Sequence, residues 1–66
     1  MKFSLFITLL EFVPERIKLV HKKKTLGNYE GKEFFWNDKE VQDMEIEVVE
    51  IDHMSKKVTL EVIKWF

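Results

Sequence analysis

The stretch that decides the fold is Met44-Glu45-Ile46-Glu47-Val48-Val49-Glu50-Ile51-Asp52. Apolar and acidic residues alternate along it with period two, which is typical of a strand with one buried face and one wet face. Two adjacent apolar residues, Val48 and Val49, interrupt the alternation. They predict a β-bulge, because one extra residue at this point keeps all the acidic side chains on the wet face.

A second alternating stretch, Val58-Thr59-Leu60-Glu61-Val62, follows after a few residues, and Val62-Ile63 repeats the same interruption. The residues between the two stretches, 53 to 57, are predicted to form the turn. The sequence therefore predicts an antiparallel β-hairpin over residues 44–65. Its expected buried residues are Ile46, Ile51, Val58, Leu60 and Val62.

The rest of the chain is also rich in strand-forming residues. Val, Ile, Thr, Phe, Tyr and Trp together account for 24 of the 66 residues. Residues 16–19 alternate, residues 32–36 are short and aromatic, and an N-terminal strand would bring the total to five. The expected fold is all-β, a single domain over residues 1–66. Its strands would form a small five-stranded antiparallel sheet or a barrel of the SH3-like or OB-like kind.

The N-terminal segment fits two structures. As a helix over residues 2–13, it would carry a polar stripe and make the fold α+β. As a strand, it would place Phe3, Leu5, Ile7 and Leu9 on one face and Phe6, Leu10 and Phe12 on the other. The aromatic and β-branched content favours the strand. Because one small sheet covers only one of these faces, Phe6, Leu10 and Phe12 are predicted to form the interface of a homodimer.

The same apolar segment does not read as a targeting or membrane segment. Glu11 interrupts it, no small-residue cleavage site follows, and it is far shorter than the roughly 20 residues that span a bilayer. We therefore expect no membrane partner and a cytoplasmic location, in the host cytoplasm if the chain is phage-encoded.

Composition excludes several kinds of chemistry. The chain has no Cys, which removes disulfides, thiolate metal sites and Cys nucleophiles. It has two His, two Ser and no Gly-rich phosphate loop, so we expect neither an enzyme nor a cofactor. Carboxylates about 7 Å apart on one flat strand face converge poorly on a cation, so no metal site is expected.

Binding is the function that remains. The basic cluster Lys22-Lys23-Lys24 and the aromatic residues Tyr29, Phe35 and Trp36 are the candidate binding residues. We expect a non-catalytic module that binds another protein, in the manner of small phage-type inhibitors that occlude a host protein or defence enzyme. The alternative is a nucleic-acid-binding barrel that uses the lysines and aromatics. The chain's net charge of −1 means that only a local basic patch could contact phosphate. An oligomeric sponge for a small ligand is a further alternative.

Overall fold

A computed structural model describes residues 1–31 and 38–64 of the chain. In chain order the elements are α1 (Phe3–Leu9), β1 (Arg16–His21), β2 (Lys24–Glu30), α2 (Lys39–Gln42), β3 (Glu45–Asp52) and β4 (Lys57–Lys64). The strands form one sheet in the order β2-β1-β4-β3. The pairs β1–β2 and β3–β4 are antiparallel, whereas β1 and β4 run parallel in the middle of the sheet.

The C-terminal hairpin is confirmed, with both predicted irregularities. Val48 pairs with Leu60 and Glu50 pairs with Thr59, which leaves Val49 as the extra residue of a bulge. On β4, Lys64 pairs with Glu45 and Val62 pairs with Ile46, so Ile63 is the extra residue there. Of the predicted core residues, Ile46, Val58, Leu60 and Val62 are buried and Ile51 is half-buried. Trp65, at the end of the predicted hairpin, lies outside the described residues.

The five-stranded antiparallel sheet or closed barrel was wrong. The described chain has four strands in an open, mixed sheet, and within it β2 and β3 are the two edges and do not pair with each other. The strand expected over residues 32–36 falls on residues that the structure does not describe. The parallel pairing of β1 with β4 joins two hairpins that are distant in sequence, so no local pattern could have indicated it.

The N-terminal strand was also wrong, and the helical alternative is correct over a shorter range than 2–13. Phe3 and Phe6 lie three residues apart, so a helix turns both towards the sheet, and both are buried. The helix ends at Leu9, and Leu10 continues in an extended conformation. Tertiary packing overrides the intrinsic strand propensity of this segment. A helix places the Phe3 and Phe6 rings on the same sheet face, whereas a strand would turn them to opposite sides.

The core lies between α1 and one face of the sheet. Helix residues contribute Phe3 and Phe6, and the segment around α2 contributes Val41 and Met44. The other buried hydrophobic residues belong to the strands and are Ile17, Leu19, Ile46, Val58, Leu60 and Val62. One helix of seven residues is too short to cover the whole of this sheet face, and what it leaves uncovered determines the candidate site.

Candidate functional site

Helix α1 carries more apolar side chains than the sheet can bury. Leu5 is 50% exposed and Leu9 65% exposed, and Met1, two residues before the helix begins, is 49% exposed. Leu5 and Leu9 are four residues apart, so they lie on the same side of α1, whereas Met1 belongs to the extended segment that precedes the helix. The N-terminal segment therefore has surplus apolar surface, as the sequence predicts, but on different residues.

The predicted homodimer residues occupy other positions. Phe6 is buried in the core, and Leu10 and Phe12 are partly buried against it. Leu5 and Leu9, which the strand interpretation placed on the inner face, are the exposed residues. The helical period of 3.6 places Phe6 with Phe3 on the buried side and turns Leu5 and Leu9 outward, which a period of two does not indicate.

A shallow apolar groove lies between α1 and the edge strand β3. Its volume is about 280 Å³, and its lining residues are all apolar: Met1, Phe6, Leu9, Leu10, Val48 and Ile51. Val48 pairs with Leu60 and Ile51 with Val58, so both side chains point to the helix side of the sheet. We call this feature the α1–β3 groove. It is the continuation of the core beyond the area that α1 covers.

A second groove, of about 510 Å³, lies around the segment that leaves α1. It is lined by Ile7, Leu10, Glu11, Phe12, Val13 and Pro14. Leu10 lines both grooves, so they flank the same end of the helix. The Phe12 ring packs edge-on against His53, with 5.5 Å between centroids, and this contact ties the segment to the β3–β4 turn.

The outer edge of β3 is paired over only part of its length. The amide of Phe3 donates to the carbonyl of Met44 at 2.9 Å, and the amide of Ile46 donates to the carbonyl of Met1 at 2.8 Å. The Met1 amine donates back to the Ile46 carbonyl at 3.2 Å. From residue 47 to residue 52, no described residue pairs with this edge.

The sheet face opposite the helix is acidic along β3. Glu47, Glu50 and Asp52 pair with Glu61, Thr59 and Lys57, which places all three carboxylates on that face, as the bulge predicts. Neither Glu47 nor Glu50 forms an ion pair with another residue in the described parts of the chain. Glu61, opposite Glu47, accepts a hydrogen bond from the Lys22 amide at 3.2 Å, and no described residue bonds to its buried Oε2 atom. Two carboxylates thus face each other across β3 and β4.

Asp52 has a structural role in the β3–β4 turn. Its Oδ1 atom accepts hydrogen bonds from the amides of Met54 and Ser55, both at 3.1 Å. Its Oδ2 atom accepts one from the Ser55 hydroxyl at 2.8 Å. These hydrogen bonds lower the pKa of the Asp52 carboxyl below its ordinary value because they stabilise its charged form. The Ser55 hydroxyl has the largest effect and the Ser55 amide the next largest.

The candidate lysines lie at the opposite end of the β1–β2 hairpin from Tyr29. Lys22 and Lys23 are the two central residues of the turn, with φ values of 49° and 67°, and Lys24 begins β2. All three are exposed. Tyr29 is half-buried against the core, roughly 17 Å along the strand from Lys24 at about 3.3 Å per residue. The structure therefore does not bring Tyr29 and the lysines together, and Phe35 and Trp36 lie outside the described residues.

Groups that could support catalysis or metal binding are sparse where the structure describes the chain. Residues 1–31 and 38–64 contain no group of three or more His, Asp or Glu side chains placed to hold a metal ion. The His21 ring is bound through Nδ1 to the Val62 carbonyl at 2.7 Å, so this nitrogen carries the proton that is donated. Within the same residues, no helix has the length and apolarity needed to cross a bilayer.

Comparisons with known proteins supply no relative for this chain. No family model matches the sequence, no curated protein matches it, and no solved structure matches the fold.

Proposed function

We propose that this chain is a non-catalytic protein-binding module and that the α1–β3 groove is its contact surface. The observation that carries the proposal is the groove itself, in which six apolar residues line a concave surface next to an unpaired strand edge. The largest exposed apolar patch on a monomer is often a functional surface.

The amount of exposed apolar surface is sufficient for binding. Met1, Leu9 and Val48 of the groove, together with Leu5 one turn before Leu9, are between 41% and 65% exposed, which corresponds to roughly 400 Å², the size of the largest apolar patch on a typical monomer. Burial of that surface contributes about 10 kcal/mol before the cost of association is subtracted. A standard interface covers about 800 Å² on each partner, so the patch supplies roughly half of it. The rest would come from the neighbouring strand edge and its acidic face.

A second candidate function uses the β1–β2 turn. Lys22 and Lys23 both have positive φ values, which cost a residue with a side chain on the order of 1–3 kcal/mol each. Asn and Gly adopt positive φ at these two positions more readily, so an Asn-Gly turn would be more stable than the Lys-Lys turn. Selection for charge at the tip would account for them, and a phosphate-rich nucleic acid is the corresponding ligand. Because Tyr29 lies far from the tip, the described residues offer no stacking surface beside it.

Affinity capture tests the proposed protein-binding function. The full chain, immobilised at its C-terminus, is incubated with a lysate of the organism that encodes it, with and without nuclease treatment, and retained proteins are identified by mass spectrometry. Leu9→Asp and Val48→Asp place a charge in the α1–β3 groove. Met54→Asp is the matched control, because Met54 is 97% exposed and lies in the β3–β4 turn outside the groove.

We expect a specific protein to be retained by the unmodified chain and by Met54→Asp, and lost from both groove variants. Circular dichroism and melting temperatures verify that each variant is folded. Equal retention by the groove variants would refute the groove as the contact surface. A ligand that disappears on nuclease treatment, with an affinity that falls steeply with salt, would instead support the lysine turn and nucleic acid.

A further inference from the structure

We infer that the occupant of the α1–β3 groove is an extended segment of a partner protein, with basic and apolar residues in alternation, that adds to the sheet as a strand beside β3. The inference rests on the proposed function and specifies the partner's chemistry.

The outer edge of β3 already accepts an extended segment. Residues 1–3 lie antiparallel to residues 44–46, and Met1 and Ile46 exchange both of their backbone hydrogen bonds. Ile46 therefore presents its amide and carbonyl groups outward. Because outward-facing residues alternate along an antiparallel strand, the backbone of Val48 also points outward, where no described residue meets it. An incoming strand would continue the pairing that Met1 begins.

The two sides of this edge differ in chemistry. On the helix side, Val48 and Ile51 open into the α1–β3 groove, where every lining residue is apolar. On the opposite side, Glu47 and Glu50 are exposed and have no ion-pair partner among the described residues. Successive side chains of an added strand point to opposite sides of the sheet. One set would enter the groove and the other would lie beside the two carboxylates, so apolar residues alternating with Lys or Arg complement this edge.

A second copy of the chain complements the edge poorly. Pairing β3 with β3 of another copy would bring the carboxylates of Glu47 and Glu50 close to those of the other chain, and like charges across a strand pair are destabilising. The bulge at Val49 and the acidic residues are also features that protect edge strands from indiscriminate pairing. The charge pattern therefore selects a basic partner strand over this chain's own acidic one.

Synthetic peptides test the inference directly on the full chain. The probe is a capped peptide of about seven residues that alternates Lys and Val, long enough to span the free edge at ~3.3 Å per residue. Three control peptides remove one property each: the same composition with the lysines and valines in separate blocks, an alternating Glu–Val peptide, and the Lys–Val peptide N-methylated at alternate amides. Binding is measured by calorimetry, and the site is located by backbone NMR shifts.

We expect the alternating Lys–Val peptide to bind, with shifts at Val48, and all three controls to bind about tenfold more weakly or not at all. Glu47→Lys combined with Glu50→Lys should weaken the Lys–Val peptide about tenfold and restore binding of the Glu–Val peptide. Glu30→Lys is the matched control, since Glu30 lies on the other edge strand, β2, and should leave affinity within about twofold.

Several results would overturn the inference. Equal affinity for the block and alternating peptides would mean simple charge attraction, and unchanged binding of the N-methylated peptide would exclude strand pairing. Sedimentation of the chain alone at about 16 kDa, twice its 8.0 kDa mass, with loss of the dimer in Leu9→Asp, would mean that a second copy fills the groove. If no peptide binds but the groove variants still lose the captured protein, strand addition is refuted and the proposed function is not. If the groove variants capture the protein as well as the unmodified chain does, the proposed function is refuted.

Discussion

The α-carbon of Gly31 lies so close to the carbonyl oxygen of Pro14 that a side chain at position 31 would collide with it. The Gly31 amide also donates a hydrogen bond to the Glu15 carbonyl at 2.8 Å. Through this contact, the segment that leaves α1 is packed directly against the end of β2. The connection between α1 and β1 therefore crosses the end of β2 at a distance that only glycine allows.

We predict that Gly31→Ala destabilises the protein by about 3 kcal/mol or more, since the atom that a methyl group would meet belongs to the backbone and cannot rotate away. Gly27→Ala is the matched control. A methyl group there would lie 2.7–2.9 Å from the hydroxyl and two ring carbons of Tyr29, so a side chain rather than the backbone must move, and we expect a smaller loss than at Gly31. Urea unfolding measures both variants. Equal losses of unfolding free energy would show that the approach at Pro14 has no special role.

Leu60 tests the core. It is fully buried on the central strand β4, so Leu60→Ala should lower the free energy of unfolding by about 2–5 kcal/mol. Ile63, three residues later on the same strand, is 52% exposed, and Ile63→Ala should cost about 1 kcal/mol or less. Denaturant titrations followed by circular dichroism compare the two. A loss at Ile63 as large as that at Leu60 would contradict the assignment of the buried face.

The β1–β2 turn should become more stable when its backbone strain is relieved. Lys22→Asn with Lys23→Gly places residues suited to positive φ at both positions, and we expect a gain of about 1–2 kcal/mol. For a domain of this size that raises the melting temperature by several degrees, at about 4–8 °C per kcal/mol.

The control for this turn removes charge and keeps the strain. Lys22→Gln, Lys23→Gln and Lys24→Gln together should leave the melting temperature within a few degrees, because exposed charges contribute little to stability. A large loss of stability in this triple variant would show that the lysines are structural. If nucleic acid binds the chain and the triple variant binds it equally well, the second candidate function is wrong.

Asp52 should make the hairpin sensitive to acid. Its pKa in the folded protein lies below the ordinary value of 3.8, so its stabilising effect is complete above about pH 4 to 5 and is lost as pH falls through the lower, folded pKa. Ser55→Ala removes the largest cause of the shift and should return the Asp52 pKa towards 3.8. NMR titration of the carboxyl carbon measures it. Ser4→Ala, at the other serine, should change nothing, and an unshifted Asp52 in the unmodified chain would refute the hydrogen-bonding account.

Part of the candidate site was visible in the sequence. The surplus of apolar residues before Pro14 and the acidic face of Glu47, Glu50 and Asp52 both follow from pattern. The groove did not, because it requires α1 to lie beside β3, and no short-range pattern encodes that contact. Tyr29 illustrates the same limit: it lies near the lysines in sequence, yet an extended strand carries it to the far end of the hairpin.

The sequence by itself determined the β3–β4 hairpin, with the bulge at Val49 and the slip at Ile63, because period-two alternation and its interruptions are local consequences of backbone pleating. Only the tertiary structure decided that residues 3–9 are helical and that β1 pairs in parallel with β4. The physical reason is that an isolated seven-residue helix is not stable in water, and Phe3 and Phe6 stabilise it only when a sheet face exists to bury them. That sheet face forms from strands distant in sequence, and the part that the short helix leaves uncovered is the groove.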